Sequence, residues 1–129
     1  MNYQAPLRDM RFVLHELFDV SGHCQQLDNG LDRETIDGIL EQGARFAGEV
    51  VAPLNRQGDE QGCRWDNTAV FTPDGYPQAY KTYAEGGWVG VGGDPVFGGM
   101  GMPKSVSAQV EEMINSSSLA FGLYPMLTS

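Results

Sequence analysis

From Asp32 to Leu54 the apolar residues Ile36, Ile39, Leu40, Ala44, Ala47, Val50, Val51 and Leu54 recur every three or four positions, along one side of a long helix. Asp32 precedes the run as an N-cap, and Glu34 lies near the positive end of the helix dipole. Gly38, Gly43 and Gly48 each weaken an isolated helix by about 1 kcal/mol relative to Ala. The same glycines let another helix approach closely, so the segment is expected to owe its stability to packing. Pro53, which lacks an N–H, is expected to kink or end it.

Shorter helices flank this one. Pro6 to Val20 carries Leu7, Met10, Leu14, Leu17 and Phe18 at helical spacing and is closed by Ser21–Gly22. Pro77 opens and Gly86 closes another over Pro77 to Glu85. From Pro103 to about Ser117, Val106, Val110, Met113 and Ile114 are expected inward and Glu111–Glu112 outward. Residues 55 to 76 read as an irregular connection with Gly58, Gly62, Pro73 and Gly75 as punctuation. Within it Trp65 and Val70–Phe71 are placed to form a small extended pair. The segment Gly86 to Met102 reads as loop. The predicted fold is all-α, a bundle of four to five packed helices with a long irregular connection between the second and third.

Ser116, Ser117 and Ser118 interrupt the helical signal, and Leu119, Ala120, Phe121, Leu123, Tyr124, Met126 and Leu127 crowd the end. An apolar terminus with nothing to bury against is unusual. Residues 1–129 are therefore expected to be one helical domain, a C-terminally truncated fragment of something larger that covers its last helix by self-association.

Charge narrows the functions. The 129 residues carry a formal net charge of −9, and no Lys/Arg cluster stands anywhere. Nucleic-acid backbones and anionic membrane surfaces would repel such a chain. No apolar run approaches the roughly eighteen residues of a membrane span, and Met1 to Leu7 lacks the pattern of a signal peptide. Two cysteines, Cys24 and Cys63, allow at most one bridge and no disulfide framework. A cytoplasmic protein is expected.

Residues that could carry chemistry are sparse. In Gly86 to Gly101, a dinucleotide fingerprint started at Gly90 meets Pro95 at its sixth position, and one started at Gly92 meets Phe97. Asp94 would set a negative charge beside a pyrophosphate, and Pro103 before Lys104–Ser105 offers no N–H to a phosphate cradle. These glycines are read as serving tight turns and close packing. His23 and Cys24 are adjacent and diverge, while His15 and Cys63 lie far off, so no metal site is expected. Glu111 and Glu112 point apart on their helix, and the serine run has no supporting base. No catalytic, cofactor-binding or metal-binding residue is assigned.

The ordered segments carry a resemblance. Gly87-Trp88-Val89-Gly90, then Asp94-Pro95-Val96-Phe97-Gly98-Gly99-Met100-Gly101, then the helix through Glu111-Glu112-Met113, resembles a landmark of acyl-CoA dehydrogenases. Val51-Ala52-Pro53-Leu54-Asn55 looks like the Ala-Pro segment at the end of that family's long second helix. Tyr3 to Glu16, Gly62-Cys63-Arg64, Thr72 to Tyr76 and Leu119 to Thr128 resemble one branch, that of 3-(methylthio)propionyl-CoA dehydrogenase-like enzymes.

The resemblance implies the N-terminal helical domain of a three-domain flavoenzyme of fatty-acid metabolism. In the family, FAD takes a hydride from the β-carbon of an acyl-CoA while a Glu removes an α-proton, giving a 2,3-enoyl-CoA. That Glu and most flavin contacts belong to other domains and a partner subunit. The fragment alone is therefore expected neither to bind FAD nor to catalyse. Its partners would be the acyl-CoA substrate and an electron acceptor, in a homo-oligomer without a membrane span. Phe121, Gly122 and Pro125 match positions lining the acyl pocket. Bulky Phe121 and rigid Pro125 would suit a short or differently shaped acyl group, although ordinary inter-domain packing explains each residue as well. The alternatives are an acyl-CoA oxidase-type relative and a free-standing helical interaction module.

Overall fold

The computed structural model describes residues 2–27 and 29–127. Thr128, the last residue of the resembling segment, lies outside the described residues. Helix α1 (Leu7–Arg11) runs on through a widened π turn, Phe12–Leu17, and α2 spans Val20–Gln26. The long helix forms as α3 (Arg33–Phe46), a second π turn (Ala47–Val51) and α4 (Ala52–Gln61). A two-residue hairpin, β1 (Arg64–Trp65) and β2 (Val70–Phe71), precedes α5 (Tyr76–Glu85), α6 (Lys104–Ser117) and α7 (Leu119–Met126). Among the described residues the hairpin is the sole sheet, antiparallel with Arg64 opposite Phe71 and Trp65 opposite Val70. The expected all-α architecture and the small extended pair are both present.

The core forms where α6 lies against α3 and its π turn, with α7 folded back onto α6 and α4. Ile36, Leu40, Ala47 and Val51 face Val106, Val110, Met113 and Ile114, all at most 2% exposed. Gly43 packs under Val110 and Met113, and Gly48 lies beneath the Tyr3 carbonyl, as close approach requires; Gly38 faces open space. Asp32 caps α3 as expected, Oδ1 accepting the Thr35 N–H at 2.7 Å.

Three boundaries differ from the sequence reading. Ser21–Gly22 does not end the first helix; both lie inside α2. The break falls at Asp19, whose backbone is left-handed (φ 43°) and whose carboxylate accepts the Gly22 N–H. Leu17 and Phe18 are exposed, because the i→i+5 bond from Phe18 N–H to Val13 C=O shifts the phase of the stripe and turns His15 inward instead. Pro53 neither ends nor breaks the long helix. The π turn ahead of it, with Ala52 N–H bonded to Ala47 C=O, widens the coil where the proline ring would meet a carbonyl, and the chain continues helical to Gln61. Arg56 pairs with Glu60 at 2.8 Å there, and Gly58, read as a loop residue, lies against Tyr76. The irregular connection begins only at Gly62 (φ 64°).

A part-buried polar contact of α1 and its π turn with α3 centres on Asp37. Its Oδ1 accepts from His15 Nε2 at 2.8 Å and from Arg11 Nε at 3.2 Å, and Arg11 also pairs with Glu41. Burial pushes the Asp37 carboxyl up, but the hydrogen bond and charge of His15, with Arg11, outweigh it and hold it below the usual carboxylate range. A depressed folded-state pKa contributes stability that is present above the unfolded value and lost as pH falls through the folded one. Below about pH 4, thermal unfolding of the wild type is expected to lose more Tm per pH unit than Asp37→Asn. Parallel acid limbs for the two proteins would show that the cluster does not couple to folding.

Candidate acyl-facing cleft

The glycine segment, α6 and α7 enclose a cleft of about 400 Å³. Ordinary ligand pockets run to roughly 300–1,000 Å³, so this one lies toward the small end of that range. Val91, Gly92, Gly93 and Met102 form one side, and Val110, Ile114 and Asn115 of α6 form another. Gly122, Pro125 and Met126 of α7 complete it, with Tyr83 and Trp88 contributing from α5 and the turn that follows.

The segment 86–102 is loop, as read, but an ordered one. Short 3-10 turns at Trp88–Gly90 and Pro95–Phe97 fold its two halves together. Met100 N–H donates to Gly90 C=O at 2.8 Å, Gly101 to Gly93 at 2.9 Å and Met102 to Val91 at 3.0 Å. Asp94 accepts the Val96 N–H at 2.8 Å through its side chain and the Gly99 N–H at 3.1 Å through its carbonyl. These amides are committed to carbonyls and carboxylate within the loop, so the segment does not fit the pyrophosphate of a flavin dinucleotide.

Polar groups at the cleft are few. Lys104 Nζ donates to Glu111 Oε1 at 2.7 Å. Burial, then the Glu111 charge and Tyr80, push the Tyr83 phenol up to about 12, so it is a neutral hydroxyl at physiological pH. Asn115 Nδ2 donates to the Glu111 carbonyl at 2.9 Å. Among the described residues no group of three or more His, Cys, Asp or Glu is placed to hold a metal ion. Glu111 and Lys104 are the charged residues among those lining the cleft, and the rest of the lining is largely apolar.

No protein-family profile matches the chain. It is similar to 3-methylmercaptopropionyl-CoA dehydrogenase of Ruegeria pomeroyi, 38% identical over 130 aligned positions that cover 100% of this chain and 22% of that enzyme. It is also similar to the broad-specificity linear acyl-CoA dehydrogenase FadE5 of Mycobacterium tuberculosis, 30% identical over 95% of this chain and 21% of the enzyme. A butyryl-CoA dehydrogenase of Syntrophomonas wolfei is 30% identical over 67% of the chain and 15% of its own length. The chain belongs to the acyl-CoA dehydrogenase family. It spans about a fifth (22%) of the length of the first of these relatives.

For this acyl-CoA dehydrogenase homologue the three residues matched to the acyl pocket do not share one environment. Gly122 and Pro125 line the cleft. Phe121 is not among the lining residues and is 0% exposed, packed among Phe46, Tyr76 and Tyr83. Asn115, Tyr83 and Met126 line the cleft without having been singled out. Lys104, Glu111 and Asn115 recur at spacings of seven and four along α6, and all three line the cleft. No described helix is long and apolar enough to cross a membrane.

Proposed function

We propose that the chain is the amino-terminal helical domain of a flavin-dependent acyl-CoA dehydrogenase and supplies one wall of the acyl pocket through α7. The observation that carries this reading is the match to 3-methylmercaptopropionyl-CoA dehydrogenase along the entire chain but along only 22% of the relative. The fold supports it. Leu119, Leu123 and Leu127 of the closing segment are 59%, 41% and 78% exposed, an apolar face of the kind that a following domain covers.

In the intact enzyme the reaction is α,β-dehydrogenation of an acyl-CoA thioester to the 2,3-enoyl-CoA, with FAD supplying the redox chemistry from outside this chain. This domain excludes water from the acyl group and orients it, which is the protein's share in such chemistry. The chain alone does not turn over, because the parts that position flavin and base are not among its residues.

Incubating the 129-residue chain with FAD, butyryl-CoA and a dye acceptor is expected to give no acyl-CoA-dependent dye reduction, and turnover there would overturn this part of the reading. The full-length polypeptide carrying the domain is expected to reduce the dye with an acyl-CoA and to consume little oxygen. Oxygen consumption matching substrate loss would instead make it an oxidase, and no flavin reduction by any acyl-CoA would sink the proposal.

A further inference from the structure

Helices α6 and α7 approach closely where Asn115 faces Gly122. A side-chain β-carbon at Gly122 would lie 2.9 Å from Asn115 Cγ and 3.4 Å from Asn115 Cα, so a residue larger than glycine forces the helices apart or the carboxamide aside. The carboxamide is not free to turn, since Nδ2 donates to the Glu111 carbonyl at 2.9 Å. That bond directs Oδ1 onto Gly122, where it is buried and has no hydrogen-bond donor among the described residues. A buried acceptor without a donor is costly, and an aliphatic side chain of the same shape would avoid the cost. Both residues line the cleft.

We infer that Asn115 is a specificity-determining residue, whose carboxamide, wedged against Gly122, closes the cleft between α6 and α7 and limits the length of acyl group it takes. This rests on the reading of the cleft as a wall of the acyl pocket. An acyl chain reaching this point meets a planar polar group in place of open apolar space, so further methylenes gain no burial. Cutting the side chain back to its β-carbon opens that space. Each methylene that then becomes buried is worth about fourfold in kcat/KM.

The test uses the full-length enzyme and a saturated acyl-CoA series from butyryl to octanoyl. Asn115→Ala is expected to raise the hexanoyl-to-butyryl ratio of kcat/KM roughly sixteenfold, about fourfold for each of the two added methylenes, mainly through KM. Asn115→Leu, which keeps the bulk and discards the polarity, is expected to retain the wild-type ratio. Asn115→Ala combined with Gly122→Ala is expected to return the ratio toward wild type, because the new β-carbon refills the vacated space. Should Asn115→Ala not fold, Asn115→Ser vacates nearly the same volume, keeps a hydroxyl for the Glu111 carbonyl, and is expected to shift the ratio likewise. An unchanged ratio in a folded small-residue variant, whatever its Tm, overturns the inference while leaving the proposed function standing. A wild-type enzyme that oxidises no acyl-CoA overturns the proposed function itself, and this inference with it.

Discussion

Phe121→Ala is expected to destabilise the domain by about 3–5 kcal/mol, read as a fall in the urea midpoint followed by tryptophan fluorescence. The ring is 0% exposed and sits where three helices converge. Its centroid lies 5.9 Å from that of Tyr83 in an edge-on contact, 6.2 Å from Tyr76 and 6.4 Å from Phe46. Aromatic pairs in such tilted geometries add roughly 0.5–1.5 kcal/mol each beyond the area they bury. Truncation removes that attraction and leaves a cavity walled by α3, α5 and α7, elements that also pack elsewhere and cannot collapse freely. Small domains are stable by only about 5–15 kcal/mol in all, so one ring holds a large share. Phe121→Leu keeps most of the volume and is expected to cost less than half as much. A loss below about 1 kcal/mol for the alanine variant would mean that α7 is held by something other than this ring cluster. The functional consequence follows from adjacency, since the ring fixes α7 and thereby sets where Gly122 and Pro125 stand at the cleft.

Much of this arrangement is legible in the residues because local and tertiary preferences agree. Asp32 caps where a short acceptor before an apolar-periodic run should cap, and Gly86 stops α5 where the apolar spacing stops. The inward set on α6 reads directly from its spacing. The failures share a physical cause. Periodicity assumes 3.6 residues per turn, and at Phe12–Leu17 and Ala47–Val51 the helix takes one residue more. The added residue rotates everything downstream, which is why Leu17 and Phe18 face solvent, His15 faces inward, and Pro53 is tolerated. Nothing in composition marks a π turn. The candidate site is less legible still. Phe121 and Gly122 are neighbours in the chain yet point into the core and into the cleft, because consecutive helical residues diverge. Asn115 has the composition of a solvated helix face until α7 covers it.

The glycine segment shows a different limit. Gly98 and Gly99 are adjacent and look interchangeable in sequence, but they are needed for different reasons. Gly98 has a left-handed backbone (φ 87°) and open space where a side chain would go. Alanine there carries only the backbone penalty, about 1–2 kcal/mol. A β-carbon on Gly99 would lie 2.6 Å from Gly93 Cα and closer still to the Gly93 carbonyl, and backbone cannot rotate away as a side chain can. To relieve the clash, the strands of loop on either side must separate, stretching the bonds from Met100 to Gly90 and from Gly101 to Gly93. Gly99→Ala is therefore expected to cost about 3 kcal/mol, the upper end of ordinary overpacking, and to lower Tm by roughly 10 °C. The same separation would move Val91, Gly92 and Met102, one side of the cleft. In the full-length enzyme Gly99→Ala is thus expected to raise KM for the acyl-CoA more than Gly98→Ala does. Equal Tm losses for the two variants would show that the loop halves are not interlocked, and that the amides between them could open toward a ligand after all.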